Sequence, residues 1–87
     1  MSANPAERHR VARAFGAVIK IRREERKLSQ ERLSESADVD RTYPSLLERG
    51  LRTPTLTVIF ELARALDVDP AQLVSDTMDR LRREDQP

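Results

Sequence analysis

The chain has 87 residues, of which 38% are hydrophobic and 36% charged, with 16 Lys+Arg against 15 Asp+Glu for a net charge of +1. That length suits one small all-α domain and leaves no room for a separate catalytic or ligand-binding module, while a near-neutral balance means that any anionic partner must be recognised by where the charges sit. With no cysteine and a single histidine, His9, the sequence offers no basis for disulfides, for a metal site or for a histidine acid/base cluster, and no cofactor is expected.

Asn4, Pro5 and Glu7 spell a helix start, with Asn as N-cap, Pro at the first helical position and Glu near the positive end of the dipole. The helix is expected to reach about Arg26 and to bury Val11, Ala14, Phe15, Val18 and Ile19, leaving Lys20, Arg22, Arg26 and Lys27 wet. Residues 1–10, with Arg8, His9 and Arg10, read either as a basic arm or as an extension of this helix. Ser29 caps a second helix over about Gln30–Ala37, the chain turns at Asp38, and a third helix is expected from near Asp40 or Arg41, with Asp40 as its cap and Gly50 as its stop. Pro44 fits only the first turn of that helix, because an interior proline costs about 3 kcal/mol. Thr53 or Thr55 caps a fourth helix through Leu66 with a buried row of Leu56, Ile59, Leu62, Ala63 and Leu66. Asp69 and Pro70 open a fifth to about Arg82, and residues 83–87 read as a disordered tail. No apolar run approaches the roughly 20 residues of a membrane span, and Met1–Arg10 is too polar for a secretory signal, so the cytoplasm is the expected location.

The centre of the chain is Leu28–Gly50, two short helices joined by a tight turn, which suggests a DNA-reading helix-turn-helix. Phe15, Gly16, Ile19 and Arg23, followed in order by LSQERLSE, RTYPSLLERG, RTPTL and ELARALDVDPAQL, resemble the lambda-repressor and Cro-like (Xre) family over roughly two thirds of the chain. The short length, the fifth helix and the DRTY run also look like the controller proteins of restriction-modification systems. Asp38 and Asp67 depart from the family pattern by standing where glycine commonly supplies positive φ.

The resemblance implies a compact five-helix lambda-repressor-like domain over residues 11–82 whose third helix enters the major groove of double-stranded DNA. Arg41, Thr42, Ser45 and Leu46 are then the base-reading residues: Arg41 for guanine, Thr42 and Leu46 for a thymine methyl, Ser45 for either base type. Gln30, Tyr43, Arg49 and Arg52 are the phosphate contacts. Arg23 and Glu48 match positions that form a structural ion pair. Val58, Phe60, Leu73, Val74, Thr77, Met78 and Leu81 form the candidate homodimer surface, for which the alternative is a fifth helix that merely covers the core. Arg22, Arg26, Lys27, Arg80, Arg82 and Arg83 read as a solvated helix surface. The expected function is a sequence-specific transcriptional regulator, a repressor or autoregulator, that binds a palindromic operator as a homodimer. The alternative is a protein-interaction module, such as an antitoxin or anti-repressor, with DNA binding secondary. Nothing in the sequence arranges a nucleophile with a base, so an enzyme is not expected.

Overall fold

In the computed structural model, which describes residues 4–86, five helices follow one another without a strand among the described residues: α1 Pro5–Glu25, α2 Gln30–Ala37, α3 Tyr43–Glu48, α4 Leu56–Leu66 and α5 Pro70–Glu84. Side-chain caps set four of the starts. Asn4 accepts from the Glu7 N–H at 2.7 Å, Ser29 from Arg32 at 3.0 Å, Thr55 from Val58 at 3.2 Å and Asp69 from Ala71 at 2.8 Å, each satisfying a donor the first turn leaves unpaired. Of the two threonines offered for α4, Thr55 is the cap.

The helix ends share one device. Lys27, Asp38, Gly50 and Asp67 all have φ between 54° and 74°. Past each of them an N–H returns to a carbonyl five residues back: Leu28 to Arg23, Val39 to Ser34, Leu51 to Leu46 and Val68 to Ala63. These are Schellman closures, and glycine serves only one of them. At Asp38 and Asp67 a short polar side chain tolerates the left-handed region; Lys27 adopts it without that help.

The core gathers Phe15, Val18 and Ile19 from α1, Leu33 and Ala37 from α2, Leu47 from α3, Leu62, Ala63 and Leu66 from α4, and Leu73 from α5. α1 lies against α3 and α5, and α2 against α3 and α4, so the α2–α3 pair is backed on both sides.

Several expectations need correction. Leu56 is 70% exposed, because it opens α4 a turn before that helix reaches the core. Val11 sits at the edge of the α1 stripe and is also exposed. Leu73 and Thr77, placed in the dimer stripe, are in fact buried, the Thr77 hydroxyl donating to the Leu73 carbonyl at 2.8 Å. Arg22 and Arg26 are not simply solvated: Arg22 makes two hydrogen bonds to Asp76 at 2.7 and 2.9 Å, and Arg26 meets Asp67 at 3.0 Å. At the amino end, residues 5–10 are the first turns of α1. The tail expected from residue 83 is helical through Glu84, where Arg10 meets Asp85 at 3.2 Å and ties the end of α5 to the start of α1. Residues 1–3 of the arm and Pro87 of the tail lie outside the described residues.

Candidate nucleic-acid interface

The helix pair is fixed from behind by Glu48. Its carboxylate accepts from the Arg23 guanidinium at 2.7 and 3.1 Å and from the Gln30 amide at 3.1 Å, while Arg23 also donates to the Leu28 carbonyl at 2.7 Å. One carboxylate thus joins the end of α1, the start of α2 and the end of α3. The side chains of Arg23 and Glu48 retain only 12% and 4% of their exposure, so the pair is held away from water. The hydrogen bond to Glu48 raises the Arg23 pKa above its ordinary value, with burial acting in the opposite sense. Gln30, a phosphate contact in the sequence reading, is the first residue of α2, and one of its amide hydrogens is committed to Glu48.

The turn before α3 is built differently from the sequence expectation. α3 begins at Tyr43, and Asp40 is not its cap. Asp40 instead accepts from both the backbone N–H and the hydroxyl of Thr42, at 2.9 and 2.6 Å. This Asx turn moves the helix start downstream, consistent with Pro44 at its second position. The two hydrogen bonds hold the Asp40 carboxyl below the usual aspartate range. Arg41 and Thr42 therefore stand on a stapled turn and not on α3 itself. The Arg41 side chain is 81% exposed and its guanidinium lies 3.9 Å from the Glu31 carboxylate of α2, a neighbour that sequence reasoning missed because the two meet only once the helices are paired.

Tyr43 is half-buried against the core, and burial raises its phenol pKa, with the nearby positive charge of Arg52 opposing. Ser45 and Leu46 are half-buried on α3, whereas Arg49 and Arg52 are exposed. Arg41 and Thr42 thus stand in the turn between α2 and α3, Tyr43 opens α3, and Arg52 in the following loop is near enough to Tyr43 for its charge to act on the phenol. These side chains offer hydroxyl donors and planar guanidinium cations.

A short second helix crossing behind a stapled turn and a short third helix, inside a five-helix bundle, defines a helix-turn-helix domain. The helix-turn-helix family model matches residues 19–73, well over half of the chain, and the chain belongs to that Xre-like family of DNA-binding transcriptional regulators. Among its relatives is the control protein C.BamHI of Bacillus amyloliquefaciens, 39% identical over 64 residues that span 72% of this chain and 79% of that protein. Among solved structures, the restriction-modification controller protein C.AhdI of Aeromonas hydrophila is 39% identical with a TM-score of 0.70, covering 71% of this chain and 94% of that one. A variant of the controller protein C.Esp1396I is 25% identical with a TM-score of 0.79, covering 86% and 95%. Among the described residues no helix is long and apolar enough to cross a membrane.

Proposed function

We propose that this protein is a cytoplasmic, homodimeric transcriptional regulator, a repressor or autoregulator, that reads a palindromic operator through Arg41, Thr42, Ser45 and Leu46. The observation that carries this reading is the stapled turn: Asp40 locks the segment that holds Arg41 and Thr42, while the Arg23–Glu48–Gln30 clamp fixes the helices on either side. A preset turn presents a long arginine to guanine without ordering the backbone at the moment of binding. Similarity adds support. Solved variants of C.Esp1396I change an arginine, the threonine after it and the tyrosine after that, and this chain has one Arg-Thr-Tyr run, at Arg41–Tyr43. In this reading Tyr43, Arg49, Arg52 and the start of α2 at Gln30 take phosphates, which position the protein without specifying sequence.

Arg41→Ala is expected to weaken binding to the selected operator by about 1 to 3 kcal/mol and to relax preference at one base pair per half-site, with non-specific binding changed far less. Titration of both proteins against matched and single-substituted duplexes checks this. Equal affinity of wild type and variant for every duplex overturns the assignment of Arg41.

Leu56, Phe60, Val74 and Met78 each expose between 45% and 70% of their area, and an apolar cleft of about 170 Å³ lined by Val11, Phe15, Pro54, Ile59 and Val74 lies alongside. We assign this surface of α4 and α5 to the homodimer, with Val58 and Leu81 at its half-buried margin and with Leu73 and Thr77 supporting it from the core. Two copies related by a twofold axis would then set their recognition helices about 34 Å apart, one turn of DNA. Phe60→Glu with Met78→Glu is expected to convert a dimer into a folded monomer in sedimentation equilibrium. A wild-type monomer at micromolar concentration contradicts the assignment and favours a different protein on the same face.

A further inference from the structure

A second cationic surface lies beyond the helix-turn-helix, where the first turns of α1 pass the loop that follows α3. We propose that the cleft between Arg8 and His9 of α1 and the loop at Gly50–Thr53 holds a DNA backbone phosphate on the flank of the half-site; this rests on the DNA-reading function proposed above. The cleft has a volume of about 280 Å³ and collects Arg8, His9 and Arg52 on its walls, with no carboxylate among its described lining residues. In a chain of net charge +1 that is a strong local imbalance.

The imbalance comes from how α1 sorts its charges. Arg10 is engaged by Glu7 at 3.3 Å, Asp85 at 3.2 Å and Glu84 at 4.0 Å, and none of these three carboxylates lines the cleft. On the cleft side Arg13 adds an exposed cation: its stem lies so close to Gly50 that a Cβ there would meet its backbone at 3.0 Å. α1 and the loop are in tight contact at that point, so the two walls keep a fixed spacing.

Continuity with the reading surface selects the partner. Arg52 forms one wall of the cleft and is also near enough to Tyr43, at the start of α3, for its charge to act on the phenol. A band of donors thus runs from Arg41 and Tyr43 over Arg52 to Arg8 and His9, the layout needed to follow a nucleic-acid strand from a groove onto its flank. An isolated anion would need only the cleft. The band beyond it fits a polymer of phosphates.

The test compares wild type, Arg8→Lys and the double variant Arg8→Gln/His9→Gln on a selected operator with long flanks and on the same operator trimmed to the reading core. On the long duplex the double variant is expected to bind roughly 3- to 10-fold more weakly. Its slope of log K against log salt should be shallower by about 0.9 for each phosphate lost. Arg8→Lys should keep most of the affinity, and on the trimmed duplex wild type and double variant should coincide. Ethylation interference with unaltered protein should mark flank phosphates outside the base-reading footprint, which answers the question even if the double variant folds poorly. Unchanged affinity and slope on the long duplex, or the same loss on both duplexes, overturns the flank site while Arg41→Ala still discriminates bases. A wild-type protein that selects no duplex at all overturns the DNA-reading function and the flank site together.

Discussion

Gly16→Ala is expected to destabilise the domain by about 3 kcal/mol or more, although alanine gains about 1 kcal/mol of helix propensity over glycine. Gly16 is buried in the middle of α1, and a methyl group there would fall inside contact distance of the Leu47 carbonyl oxygen and 3.1 Å from the Glu48 C and Cα. The obstructing atoms are main chain, so no rotamer change relieves the clash and α1 must move away from α3. A domain of this size has a total stability near the lower end of the usual 5 to 15 kcal/mol, which makes such a loss a large share of the whole. Urea unfolding followed by circular dichroism checks the result. A midpoint equal to or above that of the wild type contradicts the close approach of α1 to α3. The consequence for function runs through the same contact, because displacing the end of α3 displaces Glu48 from Arg23.

Glu48→Ala is expected to cost about 3 to 5 kcal/mol, since it leaves the nearly buried Arg23 guanidinium and the Gln30 amide without their acceptor. The loss reports an uncompensated charge and not the net worth of the pair. Replacing both partners with apolar residues of similar size, Arg23→Met with Glu48→Leu, should therefore recover most of the stability. Operator affinity separates the two effects: the apolar pair should fold yet bind DNA more weakly, because Gln30 and the start of α2 lose the atom that sets their place against α3. A Glu48→Ala protein with wild-type stability would show that the clamp carries no weight in the fold.

The caps were legible because Asn4, Ser29, Thr55 and Asp69 are short polar residues set directly before helical stretches, a signal contained within a few neighbours. Asp38 and Asp67 could be read as closures because they stand where the resembled family commonly has glycine, whereas Lys27 carries no mark of its left-handed backbone. Pro44 marked a late start for α3, but the role of Asp40 in setting it was hidden. An aspartate two residues before a threonine has the same appearance whether it caps a helix or staples an Asx turn, and the outcome here depends on the Asp40–Thr42 hydrogen bonds.

On α5, Leu73, Val74, Met78 and Leu81 together with Thr77 satisfy helical spacing twice over, once for a core row and once for an outer row. Periodicity cannot decide which row faces inward. Packing decides it, burying Leu73 and Thr77 and leaving Val74 and Met78 outside. The cleft at Arg8, His9 and Arg52 was illegible for a related reason: its walls are more than 40 positions apart in the chain, and only the passage of α1 beside the loop after α3 brings them together.

Selection of duplexes from a random pool by the full-length wild-type protein tests the central claim most directly. The recovered sequences should converge on a twofold-symmetric site whose half-site centres are about one helical turn, roughly 34 Å, apart, with a guanine at the position that Arg41→Ala no longer selects. Recovery of sequences with no common motif, or of a motif that Arg41→Ala selects unchanged, would contradict it.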